Sequence, residues 1–567
     1  MRTLLRGGEV VNVFTGEVER ADVLMEDERI LGVGDYAGAP ADIVRDVTGK
    51  TLCPGLIDGH IHIESTMLLP AELARVCIAH GTTAIVADPH EIANVCGLAG
   101  IAFMLEASEG LPMTAYFMLP SCVPATPFDE SGAALSAALL RPLYGHPRVL
   151  GLAEVMNYPG VLSGDADVAE KLADARRLGK VIDGHAPLLT GAALDRYIAA
   201  GVGDDHECST FEEARERIRK GQWVMIRQGT AARNLDALLP LFEPPYAQRC
   251  LLVTDDRHPA DLMGDGHIDA IIRRAAAAGK SPVTGIQMAT LHAAQCFGLR
   301  GVGAVAPGYA ADVLVLDDLP TMAVRDVYRA GRRVVEDGRV CPFDAPQVRS
   351  DLVKAVRNSF YLHPLRAQDF AIAPQSDRCR VIRLVPDQLL TQEWIAPISW
   401  RSGGVDIARD IVKLAVIERH MNTGHRGLGF IAGLGLRSGA IASSVAHDSH
   451  NLIVAGTNDA DMAAAGNCVL EMGGGCAVVD GGRVTARMPL PVAGLMSEED
   501  AAGIAAKNEA LRRAVHALGA PETIEPFMSL AFVSLPVIPA LKMSPQGLID
   551  VLRQQRVPLY VQDEPAL

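Results

Sequence analysis

The sequence predicts an α/β protein with a central (β/α)8 barrel, a small flanking β domain formed from both sides of the barrel, and an additional C-terminal α/β domain. Three observations lead to this prediction. Eight apolar, β-branched runs lie in the middle of the chain, segments with helical periodicity separate most of them, and glycine-punctuated strand signals lie on both sides. The 567 residues also exceed what one core serves, since single cores stop growing near about 250–300 residues.

The eight runs of the middle region predict the barrel strands. They read LCPGLIDGHIHI, TTAIVADPHE, TAYFMLPSC, RVLGLAEVMN, KVIDGHAP, GVGDDHE, WVMIRQGT and RCLLVTDDRHP. Segments such as PAELARVCIAHG, DVAEKLADARRLG and TFEEARERIRKG have the spacing of amphipathic helices. Strands that are repeatedly followed by helices pair in parallel, and the region has the length of about 250 residues typical of this barrel. We therefore expect the barrel to occupy residues 51–302.

Strand signals outside the barrel form two groups. ADVLMEDERILGVG before the barrel and AVRDVYRAGRRVVEDGRV after it share a hairpin-like pattern, so we expect one β domain from residues 1–50 and 303–345. Residues 346–567 are predicted to form the separate α/β domain. In that domain DIARDIVKLAVIERHMNTG and DADMAAAGNCVLEMGG predict helices on either side of glycine-broken strands.

The composition favours an ordinary globular protein of the cytoplasm. A formal charge of −16 argues against a nucleic-acid partner, because phosphate binding needs basic residues. The N-terminus has no apolar segment of signal-peptide length, and the longest apolar run, SLAFVSLPVIPALKM, is too short to span a membrane. The 11 cysteines include no C-x-x-C pair and indicate a reducing compartment. A homo-oligomer, dimer or tetramer, is the default expectation.

Side chains that bind metals recur where the predicted barrel strands end. They are His60 and His62 in the first run, Glu154 in the fourth, His185 in the fifth, His206 in the sixth and Asp255 in the eighth. His60 and His62 are two residues apart on a strand and therefore point to the same face. Active sites of such barrels lie at the C-terminal strand ends, so this set can hold two divalent ions there, with Glu154 as a bridge. Each residue alone could equally be a satisfied core or surface group, but six together favour a metal centre.

PGLIDGHIHIES resembles the strand-one metal motif of the amidohydrolase superfamily. ADPHEIANV, GLAEVMN, IDGHAP, GDDHE and TDDRHP, with the C-terminal stretch NTGHRGLGFIAGLGLRSGAIASSVAHDSHNLIVAGTND, resemble the bacterial-type adenine deaminase family, so the resemblance covers nearly the whole chain. It implies a metal-dependent hydrolase barrel in which the six residues bind two divalent transition-metal ions, Mn²⁺ or Fe²⁺ favoured and Zn²⁺ as a further option. The implied reaction is hydrolytic deamination of adenine to hypoxanthine and ammonia by a metal-activated hydroxide, a step of purine salvage.

The remaining candidates are expected to surround this centre. Three residues are predicted to transfer protons: Asp255, Glu91 and His450. Five are predicted to contact the substrate: His90, Arg227, Asp256, His447 and Asp448. Alternatives stay open for several of them. His90 and Glu91 could be a surface pair, Arg227 could form loop salt bridges, and the segment ASSVAHDSHNLIV could hold an accessory metal ion or have a purely structural role instead of forming a lid over the barrel mouth.

Two other functions are compatible with parts of this pattern. Another amidohydrolase, acting on a different base or a cyclic amide, would share the ligands, because they report hydrolytic chemistry and not the shape of the pocket. A metal-free scaffold protein of the same fold should lack some ligands, and none is missing here. The zinc nucleobase deaminase signature is only half present, since H-x-E occurs at residues 62–64 but P-C-x-x-C does not occur. Because the bridging residue is Glu154, no carboxylated lysine is needed.

Overall fold

The computed structural model describes residues 1–230, 232–386 and 388–561, and it has the predicted three-part architecture. One hydrophobic cluster joins residues of the barrel to residues of the C-terminal domain, and a second joins the opposite side of the barrel to the flanking sheet. The C-terminal domain is therefore packed on the barrel through a shared core.

In these ranges, none of the helices is both long and apolar enough to cross a membrane.

The chain begins with five strands that lead directly into the barrel. They are β1 (Arg2–Asn12), β2 (Glu17–Glu26), β3 (Arg29–Gly34), β4 (Ile43–Asp46) and β5 (Thr51–Pro54). β1 and β2 are antiparallel, and β5 runs parallel to β1. A single residue separates β5 from the first barrel strand. The flanking sheet therefore fixes where the chain enters the barrel.

Each of the eight predicted runs contains one barrel strand, and the first run also includes the end of β5. The barrel strands are β6 (Leu56–Ile61), β7 (Thr82–Ala87), β8 (Thr114–Leu119), β9 (Val149–Val155), β10 (Val181–Gly184), β11 (Asp204–Asp205), β12 (Trp223–Arg227) and β13 (Cys250–Val253). β6 to β10 form one parallel sheet in chain order, and β11 to β13 form another. A parallel bridge between Ile61 and Asp255 brings the end of β13 beside β6, and the N–H of Gly184 donates to Asp204 between β10 and β11. The eight strand ends therefore meet around one axis.

Helices and loops connect these strands, as the periodicity predicts. The helices are α1 (Pro70–Ala79), α2 (His90–Ala107), α3 (Ala137–Leu140), α4 (Tyr158–Ser163), α5 (Ala166–Arg177), α6 (Gly191–Ala199), α7 (Phe211–Arg219), α8 (Leu235–Leu238), α9 (Pro259–Gly264), α10 (Ile268–Ala277), α11 (Pro282–Gln287) and α12 (Ala293–Cys296). The three helical segments predicted from sequence are α1, α5 and α7. Asp165 caps α5, and Thr210 with Glu213 forms a capping box at the start of α7. α2 begins at His90, so the β7–α2 junction presents His90 and Glu91 at the barrel top.

After the barrel the chain returns to the flanking sheet. Its strands are β14 (Val313–Leu316), β15 (Val324–Arg329), β16 (Arg332–Glu336) and β17 (Arg339–Val340). The nine strands have the order β17-β16-β15-β14-β5-β1-β2-β3, with β4 beside β1. One sheet thus contains strands from both sides of the barrel, and the exact limits of the domains stay a prediction.

The C-terminal domain contains two sheets. The larger has the order β19-β18-β21-β20-β23-β22-β24-β25, and the smaller is β26-β27-β28. The strands are β18 (Arg378–Leu384), β19 (Thr391–Pro397), β20 (Ile411–Ile417), β21 (Arg426–Ala432), β22 (Ala440–Ser443), β23 (Leu452–Gly456), β24 (Gly475–Asp480), β25 (Arg483–Pro489), β26 (Leu541–Ser544), β27 (Gly547–Asp550) and β28 (Gln555–Val557). The helices are α13 (Ser350–Arg357), α14 (Asp459–Glu471), α15 (Ala501–Ala517) and α16 (Pro526–Ala531).

One helix prediction is confirmed in this domain and one is wrong. DADMAAAGNCVLEMGG forms α14, which Asn458 caps. DIARDIVKLAVIERHMNTG instead contains β20, a central strand between β21 and β23. All seven residues of β20 are buried, so the run is apolar on both faces and its spacing fits a helix as well as a strand. Pairing with two neighbouring strands decides in favour of the strand.

Candidate metal centre and active site

The six predicted metal ligands lie together at the C-terminal ends of the barrel strands. His60 is in β6 and Glu154 is in β9, while the other four follow strand ends: His62, His185, His206 and Asp255. Five of the six are buried, and His185 is partly buried. The β/α architecture thus brings residues that are far apart in the sequence to one place.

Glu154 lies at the centre of this cluster. Its Oε1 is 3.2 Å from Nε2 of His62 and 3.8 Å from Nε2 of His60. Its Oε2 is 2.7 Å from Nδ1 of His185 and 3.4 Å from Nε2 of His206. Each carboxylate oxygen therefore faces a different pair of imidazoles, which is the arrangement a carboxylate needs to bridge two cations.

Asp255 completes one side of the cluster and is oriented by an arginine. Its Oδ1 is 3.1 Å from Nε2 of His62 and 3.7 Å from Nε2 of His60. Its Oδ2 accepts a hydrogen bond from Arg227 at 2.8 Å. Burial opposes ionisation, but Arg227 and the imidazoles hold the pKa of Asp255 well below its usual value. Oδ1 is thus the oxygen of an ionised carboxylate that faces His60 and His62.

Arg227 is buried and pairs with two carboxylates. Besides Asp255 it donates to Glu207, through both guanidinium nitrogens. Glu207 also lies 3.4 Å from Nε2 of His206. Glu207 was not among the residues singled out by the sequence, although GDDHE places it next to His206. Because the guanidinium is engaged with Asp255 and Glu207, a contact between Arg227 and the substrate stays a prediction.

His60 and His62 are held by partners behind the cluster. Nδ1 of His60 lies 3.0 Å from the carboxylate of Asp183, and Nδ1 of His62 lies 3.1 Å from the main-chain oxygen of Asp88. Each contact uses Nδ1 and directs Nε2 toward Glu154. Histidine ligands are commonly oriented in this way by a carboxylate or carbonyl oxygen.

Asp183→Asn is expected to weaken metal binding by about 10–100-fold, because an amide orients His60 less firmly than a carboxylate does. Metal affinity measured by titrating metal-free protein checks this. Asp269→Asn is a matched control, because Asp269 is also a buried carboxylate that contacts a histidine. Its Oδ2 lies 3.1 Å from Nδ1 of His80, and this pair is not part of the candidate metal centre. Equal affinities in wild type and Asp183→Asn, or an equal loss in the control, would contradict the expectation.

The unpaired atoms of the cluster fit a pair of divalent ions. Among the described residues, Nε2 of His60 is buried and has no hydrogen-bond partner, and Nδ1 of His185 is buried beside Oε2 of Glu154 without forming a hydrogen bond to it. Burial, with a contribution from His206, lowers the pKa of His60 to about 4, so this imidazole is neutral and offers a lone pair. Buried polar atoms without partners are destabilising, and imidazole with carboxylate is a ligand set that manganese, iron and zinc accept.

His90 and Asp448 connect the metal centre to the C-terminal domain. Nδ1 of His90 lies 3.0 Å from Asp88 and 3.7 Å from Oε1 of Glu154. Nε2 of the same ring lies 3.7 Å from Oδ1 of Asp448. The two predicted substrate residues, from different domains, therefore face each other beside the centre.

Glu91, His447 and His450 form a second buried group, here called the relay. Oε1 of Glu91 lies 3.0 Å from Nδ1 of His447, and Oε2 lies 3.2 Å from Nε2 of His450. Burial opposes protonation, but Glu91 raises the pKa of His447 to about 9, so that ring is charged at neutral pH. Nδ1 of His450 accepts a hydrogen bond from the N–H of Ala446, which leaves the proton of the neutral ring on Nε2. A protonated Nε2 suits the Glu91 carboxylate better than an accessory metal ion.

Ser65 lies between the relay and Asp256. Its hydroxyl is 2.5 Å from Oδ1 of Asp256 and 3.3 Å from Oε1 of Glu91. Burial and the neighbouring Asp255 raise the pKa of Asp256. Sequence reasoning did not single out Ser65, although it belongs to the same HIHIES motif as two ligands. The hydroxyl connects two carboxylates that the sequence placed on separate strands.

A cavity of about 950 Å³ opens onto both groups. Its polar end includes His62, Glu154 and Asp255, and it also has apolar walls. The C-terminal domain contributes apolar residues such as Met528 and Phe532, and the Phe532 ring stacks on His447 at 4.4 Å. An apolar pocket with a few convergent polar groups is typical of a small-molecule site. The C-terminal domain therefore forms one wall of the candidate active site.

The barrel and its ligand set define the chain as a member of the amidohydrolase family, whose pattern matches residues 51–334. Residues 388–555 match the adenine deaminase C-terminal domain. The chain is 49% identical over 550 residues to adenine deaminase of Nitratidesulfovibrio vulgaris, covering 97% of this chain and 94% of that protein. It is 47% identical over 558 residues to adenine deaminase 2 of Carboxydothermus hydrogenoformans (98% and 96% covered) and 43% identical over 559 residues to adenine deaminase of Geobacillus kaustophilus (98% and 96% covered). Within the amidohydrolases, the chain belongs to the adenine deaminase family.

Proposed function

We propose that this protein is a hydrolase that converts adenine and water to hypoxanthine and ammonia, a step of purine salvage. The observation that carries the proposal is the similarity to adenine deaminases over nearly the whole chain, including the C-terminal domain. The chemistry needs activated water, a proton carrier and donors for the purine ring. The buried cavity offers candidate residues for all three tasks.

We infer that six residues would hold two divalent transition-metal ions, with Glu154 placed to serve both: His60, His62, Glu154, His185, His206 and Asp255. Bound there, they would supply Lewis-acid activation of a water molecule at neutral pH. The nitrogen and oxygen ligands favour Mn²⁺ or Fe²⁺ and also accept Zn²⁺. The buried, unpaired imidazole nitrogens support this inference.

Asp255 is the proton carrier that the geometry favours. Arg227 fixes its Oδ2 and leaves Oδ1 facing the imidazoles. An ionised Oδ1 accepts the proton of the attacking water and then delivers it to the amine that leaves C6. General acid-base transfer of this kind is worth about 10²–10⁴-fold in rate.

The relay and its neighbours provide groups for the purine ring. Attack at C6 places negative charge on the adjacent ring nitrogen, which then needs a proton. His447 is charged at neutral pH and lines the cavity, so its ring suits binding of that nitrogen, while Glu91 and His450 behind it transfer the proton. The second proton of the water, left on the C6 oxygen, returns to the relay as the C6–N bond breaks and the carbonyl forms. His90, Asp256 and Asp448 also lie at the cavity or beside it and are candidates for contacts with the amine and the imidazole ring of adenine.

A substrate panel tests the proposal. Metal-loaded protein is expected to release ammonia from adenine, and more slowly or not at all from adenosine, guanine and cytosine. Ring opening of hydantoins is measured alongside, because it tests the alternative of a hydrolase that acts on cyclic amides. If adenine is inert while another member of the panel is consumed, the chain is an amidohydrolase with a different substrate. If no member reacts and purified protein retains no metal, the scaffold alternative is favoured.

Location and assembly are further proposals. The 11 cysteines are free, which agrees with the predicted cytoplasmic, reducing compartment. A homo-oligomer, dimer or tetramer, is proposed on the general preference of such enzymes. Mass measurement of the native protein in solution tests the second proposal.

A further inference from the structure

Arg419 lies fully buried behind the loop that carries part of the relay. We call residues 446–451 the relay loop. Within the described part of the chain, every guanidinium hydrogen bond of Arg419 goes to a main-chain carbonyl oxygen. Nε donates to His450 at 2.5 Å, Nη1 to Ser359 at 2.8 Å and Nη2 to Ala493 at 2.9 Å. One side chain thus holds three separate segments together.

Burying a guanidinium that has no paired carboxylate carries a large desolvation free energy. Burial lowers the pKa of Arg419 to about 10, and the ring of Phe360 packs against the cation at 4.7 Å from its centroid. An apolar side chain of similar size would avoid the desolvation cost. An apolar side chain could not, however, provide the five N–H donors that the planar guanidinium holds in fixed directions. The geometry therefore favours a role in orienting main chain.

The main chain that Arg419 orients is that of His450. The φ of His450 is 52°, a left-handed conformation that non-glycine residues seldom adopt, and the Arg419 contact holds its carbonyl oxygen. In this conformation Nε2 of the His450 ring lies 3.2 Å from Oε2 of Glu91. Neighbouring contacts act together with it, because the N–H of Arg419 donates to Asn451 and Nε2 of His420 lies 2.7 Å from the main-chain oxygen of Ser449.

We propose that Arg419 is a positioning residue for adenine deamination, which aligns the relay by fixing the His450 peptide from outside the cavity. Arg419 is 0% exposed and is not among the residues that line the cavity. Its effect reaches the reaction through His450, Glu91 and His447. The proposal rests on the proposed function, because the relay has a task only if a purine is protonated there.

Arg419→Lys keeps the charge but replaces the fork with a single ammonium. We expect kcat for adenine to fall about 10²-fold, as expected for a displacement of about 1 Å at a catalytic group. KM and metal content are expected to stay at wild-type values, while the unfolding midpoint falls because lysine leaves buried carbonyl oxygens without donors. Arg148→Lys is the control, since Arg148 also donates to main-chain oxygens, those of Leu105, Ser108 and Ala115, away from the cavity, and in addition pairs with Glu109. The control is expected to keep the wild-type kcat.

A double-mutant cycle separates positioning from general destabilisation. If Arg419 acts through His450, then adding Arg419→Lys to His450→Gln causes no further loss of kcat. Unchanged kcat in Arg419→Lys, or losses that multiply in the double variant, would overturn the proposal. Loss of folding or of bound metal in Arg419→Lys would also overturn it and make Arg419 a stability residue. Failure of the proposed function is distinguishable, because wild-type protein would then not release ammonia from adenine.

Discussion

Glu154→Gln is expected to abolish deamination and to leave purified protein with fewer than two metal ions per chain. Glutamine keeps the size of the side chain but offers one carbonyl oxygen and an NH₂ group, which cannot bind a cation. Since each Glu154 oxygen faces a different pair of imidazoles, both cation sites lose a ligand. Elemental analysis together with ammonia release measures both effects.

Glu72→Gln is a suitable control for Glu154→Gln. Glu72 lies in α1, pairs with Arg75 and is outside the cavity. It is expected to retain both metal and activity. Full activity in Glu154→Gln would contradict the shared-ligand assignment, and loss of activity with two ions still bound would make Glu154 a catalytic group alone.

Asp255→Asn is expected to lower kcat by about 10²–10⁴-fold even in protein supplied with excess metal, because asparagine cannot accept and return a proton. The neighbouring Asp256→Asn is the matched comparison. Its carboxylate faces Ser65, so a smaller loss is expected. Single-turnover rates at saturating metal and adenine distinguish this chemical effect from weakened binding.

The opposite order of the two aspartate variants would exchange their roles. If Asp256→Asn were the more damaged, the proton carrier would be Asp256, acting through Ser65. Equal, small losses in both would remove the carboxylates from proton transfer. The sequence alone favours Asp255 only weakly, and the contact of Oδ1 with His62 is what strengthens that choice.

Position along the barrel strands is the part of the site that the sequence predicts well. The candidate ligands His60, Glu154 and His206 are recognisable because each lies in or directly after an apolar run, and parallel strands bring those ends together. Local periodicity does not identify β20 of the C-terminal domain as a strand. Its sequence, IVKLAVI, is buried on both faces and suits a helix or a strand equally. Only its pairing with β21 and β23 decides in favour of the strand.

Long-range side-chain contacts could not be predicted from local pattern. Nothing in GDDHE indicates that Glu207 would meet Arg227, and nothing in AVIERHM indicates that Arg419 would hold the carbonyl of His450. The contact of Glu91 with His447 likewise depends on how the C-terminal domain docks on the barrel. Such contacts arise from tertiary packing, so they become visible only in the folded structure.

Adenine deamination by this chain is proposed to depend on a two-cation centre at the barrel top. Titration of metal-free protein with Mn²⁺, with ammonia release from adenine measured at each step, tests this dependence most directly. We expect activity to rise until two ions are bound per chain and then to stay constant. Activity that is independent of added metal, or no ammonia from adenine at full occupancy, would contradict it.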